Sequence, residues 1–232
     1  MTAAPPPVEH RVLPVAVPAP DARSLARRVV RPVLRAWLRL RVEDEHHVPA
    51  AGPVIVASTH ASHADSMALG SALVRPVFFL GDLRLTRWPV LGPWLPRLGM
   101  VPVRRGDRDR DALDQLVQLL AEGHVVVVYP EGSRSRDGRV HRPRSGVARL
   151  AAATGVPVVP ASVVGTHAVW PTGARPRVRG GPVSIRFGPP LAAPAPTPIA
   201  RRRFSEALHT ALVELSGAGR ADGFAPVGGG DE

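Results

Sequence analysis

The stretch P-V-I-V-A-S-T-H-A-S-H-A-D-S-M, residues 53–67, decides how the chain is read. Val54 to Val56 is an apolar, β-branched run of strand type. Met67-Ala68-Leu69 already belongs to a helical pattern. Between them stand His60, His63 and Asp65. A histidine at the mouth of a strand, with an acid a few residues on, is what general base catalysis needs. The imidazole takes a proton near neutral pH, and the acid sets its tautomer and orientation.

The surrounding composition narrows the possibilities. The chain has 232 residues, 44% of them hydrophobic, which is enough for one substantial domain with a core. It has no cysteine, so disulfides and cysteine-based nucleophiles or metal sites are excluded. The formal net charge is +11, and every cationic side chain is arginine, with no lysine at all. Codon bias accounts for such a pattern, as does an anionic partner: nucleic acid, a membrane surface or a phosphorylated substrate. No run of 18 or more apolar residues reads as a spanning helix. The N-terminal residues lack a signal-peptide core, being interrupted by Pro5, Pro6, Pro7, Pro14, Pro18 and Pro20. These features predict a protein that stays inside the cell.

Residues 1–22 read as a disordered, Pro-rich leader. From Arg23 to Val42 the composition changes. Arg27, Arg31, Arg35 and Arg39 recur every four residues, opposite Val29, Val30, Val33, Leu34, Trp37 and Leu38. This predicts a basic amphipathic helix over 23–42, suited to an anionic membrane or to packing on the domain, with Pro32 either kinking it or opening a second helix. Beyond it, strands are expected at Val54–Ala57, Pro76–Leu80, Met100–Val103, His124–Tyr129, Val156–Val164 and Val183–Phe187. Helices are expected at Ser62–Leu73, Arg110–Ala121, Ser145–Thr154 and Pro198–Leu215. Val-rich strands alternating with helices predict an α/β fold: one domain over 43–215 with a mostly parallel or mixed central sheet flanked by helices. The Gly-rich residues 216–232 read as a disordered tail.

Four blocks carry the chemistry. In the first, Ser62 is placed to cap the next helix. Asp65 falls in that helix's first turn, a capping-box variant with Asp for Glu, and lies close to His60. A zinc reading of His60, His63 and Asp65 is weaker, because the spacing is not that of H-E-x-x-H, and His63 is expected to face solvent from the helix. The second block runs from Gly99 to Arg105. The third, Val128-Tyr129-Pro130-Glu131-Gly132-Ser133-Arg134-Ser135, ends a valine strand in a tight turn. Arginines follow at 134, 136, 139, 142 and 144, and their forks match phosphate oxygens. The fourth is Val156-Pro157-Val158-Val159-Pro160.

Taken in order, these blocks resemble the lysophosphatidic acid acyltransferases, or 1-acylglycerol-3-phosphate O-acyltransferases, within the wider glycerolipid acyltransferases. The family's N-H-x-S-x-x-D stands here as Thr59 to Asp65, without the Asn. Its glycine-opened, arginine-ended second motif is similar to Gly99–Arg105, with Pro102 in place of a usual aromatic. Its F-P-E-G-T-R-S is Tyr129 to Ser135, with Tyr for Phe and Ser for Thr. A later lysine-x-glycine element is Arg144-Ser145-Gly146, and the V-P-strand motif is Val156 to Pro160. The match spans roughly residues 45–190, and neither G-x-S-x-G nor a P-loop competes with it.

The resemblance implies transfer of a fatty acyl group from an acyl thioester, acyl-CoA or acyl-carrier protein, to the hydroxyl of a lysophosphatidic acid acceptor. His60 would be the general base and Asp65 its orienting acid, with backbone amides near the start of the helix after Val54–Ala57 as candidate oxyanion donors. Arg105 and Arg134, with Arg144 a weaker candidate, would bind the acceptor phosphate, Glu131 and Gly132 would position the glycerol portion, and Ser133 would bind substrate beside them. No cofactor and no metal is required. The 23–42 helix, with Trp88, Leu91, Trp94 and Leu95, would dock on the inner face of the cell membrane. Other acceptors remain open: lyso-ornithine lipid, other lysophospholipids or a glycolipid. A non-enzymatic basic binder is the contrasting class, but a single tyrosine leaves little to stack on bases, so no nucleic acid partner is expected.

Overall fold

The computed structural model describes residues 26–89, 92–103, 109–171 and 180–226. The leader and residues 23–25 lie outside the described residues, as do Arg104 and Arg105. The strands are β1 (Arg41–Glu43), β2 (Val54–Ser58), β3 (Val77–Asp82), β4 (Met100–Val103), β5 (Val125–Val128), β6 (Val158–Val164) and β7 (Ser184–Phe187). The helices are α1 (Arg31–Trp37), α2 (Ala64–Ala72), α3 (Asp109–Ala121), α4 (Ser145–Thr154), α5 (Thr166–Val169) and α6 (Pro198–Ser216). The strands form one sheet in the order β1-β7-β6-β2-β5-β3-β4. Every pairing is parallel except β6 with β7, so the sheet is mixed, as the sequence predicts.

The valine runs explain the centre of this sheet. A parallel strand with helices on both sides buries both its faces, and β2 is buried along its whole length. Side chains alternate across it. Val54 and Val56 join Val125, Val127 and Val159 beneath Leu69 of α2. Ile55 and Ala57 turn the other way, to Leu119 of α3, Leu150 of α4 and Leu208 of α6. Truncating one of these buried leucines to alanine costs about 2–5 kcal/mol.

The N-terminal helix follows one of the two expectations for Pro32, a second helix opening there, and departs from expectation in two other ways. A wider-wound turn, Ala26–Val30, precedes α1, and Pro32 sits in the first turn of α1. Proline is tolerated there because no helical N–H is lost. The helix stops at Trp37 rather than continuing to residue 42. Leu38 closes it, Arg39 turns with φ +41°, and Arg41 starts the edge strand β1. Its basic face also points inward in part. Arg31 donates from Nε to Ser71 O (2.8 Å) and from Nη2 to Ala72 O (2.9 Å), and Arg35 reaches the same carbonyls at 3.3 and 3.4 Å. The last carbonyls of α2 are unpaired within the helix and carry its negative end, which draws these guanidinium groups. Val29 and Val33 are left outward, 54% and 61% exposed.

The C-terminal segment also departs from expectation. After α6 and Gly217, the chain runs back as a strap along residues 139–144. Val140 N donates to Gly219 O (2.9 Å), Ala221 N to Val140 O (3.0 Å) and Arg142 N to Gly223 O (3.0 Å). Ala225 is buried. The predicted disorder from Ser216 therefore fails as far as residue 226; residues 227–232 lie outside the described residues. Among the described residues, no helix is long and apolar enough to cross a membrane.

Candidate active site

The site gathers at the carboxyl ends of the central parallel strands, the usual ligand position in open α/β sheets. β2 lies between β5 and β6. The loop after β2 carries His60, the turn after β5 carries Tyr129 to Ser135, and the end of β6 leads into Thr166. Three blocks distant in sequence meet because their strands are neighbours.

His60 donates from Nδ1 to Asp65 Oδ2 at 2.9 Å; the imidazole is 19% exposed and Asp65 is fully buried. The same Oδ2 accepts the amides of Ala61 (2.7 Å) and Ser62 (2.9 Å), while Oδ1 accepts the Thr166 hydroxyl. A buried carboxylate needs such donors, since an unpaired charge there is very costly. Ser62 caps as expected: its Oγ accepts the Ala64 amide (3.1 Å) and donates to Trp170 O (2.6 Å). The amides near this helix start are largely spent, however. Those of Ala61 and Ser62 go to Asp65, that of Ala64 to Ser62 Oγ and that of Asp65 to Ser62 O, so none of the four is a free oxyanion donor.

With Nδ1 donating to Asp65, the other ring nitrogen, Nε2, keeps its lone pair for an incoming proton. Tyr129 lies under the ring, and its hydroxyl meets Ser66 Oγ at 2.7 Å. Burial holds the Tyr129 phenol well above its ordinary pKa, with the Asp65 charge adding to the effect, so it stays neutral.

Glu131 is 1% exposed and faces the backbone. Its Oε1 accepts His60 N (3.3 Å) and its Oε2 accepts His141 N (3.0 Å). Burial raises its pKa from 4.5 to about 7, against the lowering effect of these two amide bonds. Arg144 is also turned to the backbone, donating from Nε to Glu131 O (3.1 Å) and from Nη2 to Ala225 O (2.8 Å). Gly132 has φ +75°, and a Cβ there would come within 2.8 Å of the Arg144 side chain. Ser133 Oγ donates to Pro226 O (3.0 Å). The predicted substrate-binding residues Glu131, Gly132 and Ser133 thus form one braced loop beside His60, and Arg144, expected as a weaker phosphate ligand, braces that loop from Nε and Nη2.

Arg134 approaches the site differently. Its Nη1 donates to His63 Nε2, and the His63 ring stands 5.6 Å from that of Trp88 and 5.4 Å from that of Trp170. The expected solvent-facing His63 is therefore wrong. Its pKa falls from 6.5 to about 4, first through burial and then through the charge of Arg134, which leaves it neutral and able to accept from the guanidinium. Arg105, the other predicted phosphate ligand, lies outside the described residues. Gly99 at the head of β4 has φ +98°, and a Cβ would sit 2.1 Å from Val77 O, so this motif position admits only glycine.

Sequence reasoning passed over Thr166 and the ring contact of Tyr129. Nothing local marks Thr166; its link to Asp65 spans 101 residues. The aromatic residue before Pro130-Glu131-Gly132 was the available signal for Tyr129.

The family model described as Acyltransferase matches residues 39–164. The chain is 31% identical over 158 residues to the chloroplastic 1-acyl-sn-glycerol-3-phosphate acyltransferase LPAT1 of Arabidopsis thaliana, covering 67% of this chain and 44% of that protein. It is 25% identical over 154 residues to the 1-acyl-sn-glycerol-3-phosphate acyltransferase of Bacillus subtilis, covering 66% of this chain and 73% of that protein. The crystal structure of the 1-acyl-sn-glycerophosphate (LPA) acyltransferase PlsC from Thermotoga maritima superposes with a TM-score of 0.64 at 25% identity, covering 83% of this chain and 82% of that one. The matched region spans less than half the length of the LPAT1 protein and of its counterparts from Brassica napus and Chlamydomonas reinhardtii.

Proposed function

The chain belongs to the acyltransferase family, and from that membership we propose that it is an O-acyltransferase moving a fatty acyl group from an acyl thioester to the free hydroxyl of lysophosphatidic acid, giving phosphatidic acid. The observation that carries the reading is the His60–Asp65 pair, joined at 2.9 Å with the acid fully buried. His60 Nε2 takes the proton of the acceptor hydroxyl as its oxygen attacks the thioester carbonyl. Asp65 stabilises the imidazolium that forms. The tetrahedral centre then collapses, the C–S bond breaks, and the departing sulfur takes the proton back from His60. No acyl-enzyme is needed, because the acceptor is itself the nucleophile.

Arg134, oriented by His63, would bind the acceptor phosphate together with Arg105. Glu131, Gly132, Ser133 and Arg144 would shape the glycerol end by holding the loop, since their polar atoms already serve its backbone. The acyl donor is acyl-CoA or acyl-carrier protein. The protein would work at the inner face of the cell membrane, with Val29 and Val33 entering the lipid; Val29→Ser/Val33→Ser should reduce co-flotation with phosphatidylglycerol vesicles, and unchanged flotation would refute this placement.

The decisive experiment incubates the purified chain with palmitoyl-CoA and lysophosphatidic acid, beside His60→Ala and Asp65→Ala. Phosphatidic acid is expected from the wild type, with both variants down by at least about 100-fold. Equal product from all three would remove the catalytic assignment. Parallel assays with lyso-ornithine lipid and lysophosphatidylglycerol test the choice of acceptor.

A further inference from the structure

A second basic cluster lies apart from His60. A cleft of about 500 Å³ is bounded by α4, by α6 and by residues 142–143, and it is lined by Arg142, Arg149, Arg201 and Arg202. The carboxylate on its wall, Glu206, is already held by Arg220. Four arginines from three chain segments line one cleft, and their like charges favour an anion there. Their planar forks match phosphate oxygens.

Phe224 adds a different chemistry to the same wall. The residue is 55% exposed, with the Arg142 and Arg144 guanidinium carbons 5.8 and 5.4 Å from the ring centroid. An exposed phenylalanine close to a chain terminus would ordinarily be a frayed one. Here its neighbours are fixed: Gly223 O accepts Arg142 N (3.0 Å), and Ala225 is buried with its carbonyl on Arg144. The strap therefore holds an aromatic face beside the arginines. A phosphate alone has no use for such a face, whereas a phosphate-bearing ligand with a flat base uses both, the base stacking on the ring.

We propose that this cleft binds the nucleotide end of the acyl donor, with its phosphates on Arg142, Arg149 and Arg202 and its base against Phe224. The donor is then acyl-CoA rather than acyl-carrier protein. Residues 141–144 place the cleft next to the reaction site. Arg142 faces the cleft, while the amide of His141 is bonded to Glu131, which in turn holds His60 N. That the nucleotide belongs to a donor rests on the acyl-transfer reading; that a nucleotide binds here does not.

Calorimetric titration of the full chain with adenosine 3′,5′-bisphosphate tests binding without turnover. The wild type is expected to bind it, and Arg149→Ala/Arg202→Ala to weaken the affinity about tenfold or more. Phe224→Ala is expected to weaken it by a smaller factor. In the acyl-transfer assay the double variant should raise KM for palmitoyl-CoA about tenfold. The KM for palmitoyl-N-acetylcysteamine, a thioester with no nucleotide, should change by less than about twofold. No binding of the bisphosphate to the wild type would overturn the proposal, as would an equal rise in both KM values. Loss of phosphatidylglycerol vesicle binding in the double variant, with bisphosphate affinity unchanged, would overturn it in favour of a lipid headgroup site. A chain that binds the bisphosphate but acylates no lysolipid would refute the acyl-transfer reading and leave the nucleotide site standing.

Discussion

The ring of Tyr129 lies flat against the imidazole of His60, with centroids 3.8 Å apart and planes inclined by 15°. Asp65 fixes the edge of the imidazole through Nδ1, and Tyr129 fixes its face. Together they leave the ring one orientation, with Nε2 turned away from Asp65. Ser66 holds the phenol in turn, so the platform under the imidazole is braced from α2.

Removing the platform should cost turnover more than binding. Tyr129→Phe keeps the stacked ring and loses only the bond to Ser66, so kcat should stay within about threefold of wild type. Tyr129→Ala frees the imidazole and should lower kcat about 10- to 100-fold with a smaller change in KM. Steady-state kinetics with acyl-CoA and lysophosphatidic acid decide the matter. Equal losses in the two variants would show that the hydroxyl, not the ring, is what matters.

Thr166 should be felt through Asp65. Thr166→Val leaves Oδ1 of a fully buried carboxylate without its hydroxyl donor, which should cost about 1–3 kcal/mol of stability, whereas Thr166→Ser keeps the donor. Urea midpoints for the three proteins measure this. A valine variant as stable as wild type would mean that the hydroxyl bond contributes nothing.

Glu131 should make stability fall with rising pH. Its pKa is 4.5 ordinarily and about 7 in the fold. Between those values the folded protein keeps a proton that the unfolded chain has released, so unfolding becomes easier as pH rises through that window. Glu131→Gln removes the effect. The stability of wild type relative to this variant should therefore decline between pH 4.5 and 7, by an amount on the order of 3 kcal/mol, in urea titrations at stepped pH. A difference independent of pH would contradict this.

His63 should stay neutral well below the usual histidine range. Its proton NMR shifts should titrate near pH 4 rather than 6.5, and Arg134→Ala should move the midpoint upward by removing an adjacent positive charge. The sign is opposite to that of Glu131: His63 favours the fold above about pH 6.5 and loses that contribution as pH falls toward 4. A midpoint near 6.5 in wild type would show that the ring is solvated.

Much of the fold was legible because it rests on local pattern. The stretches Val54–Ala57, His124–Tyr129 and Val156–Val164 read as buried strands because short runs of β-branched valine suit a sheet covered on both faces. The strands outside that pattern were not all legible. Arg41 and Val42, the first two residues of β1, were read as the end of a helix. The segment is three residues long and mostly exposed, and it becomes a strand only through its pairing with β7. The arginine stripe at Arg31 and Arg35 was visible as a period, but its direction was set by the free carbonyls at the end of α2.

The residues 53–67 determined by themselves that a histidine and a carboxylate stand together at a strand-to-helix switch. His60 and Asp65 are five residues apart, and the backbone between them leaves little freedom. Only the tertiary structure decided what surrounds the pair. Glu131 and Thr166 bond to it across 71 and 101 residues of chain, and Tyr129 comes from the same turn as Glu131. They meet because β5 and β6 flank β2. That order depends on which strands bury their two faces best once α2 and α4 cover the sheet. The same holds for His63, which no local pattern could turn toward Arg134, and for the strap that carries Phe224. Their positions follow from packing summed over the whole domain.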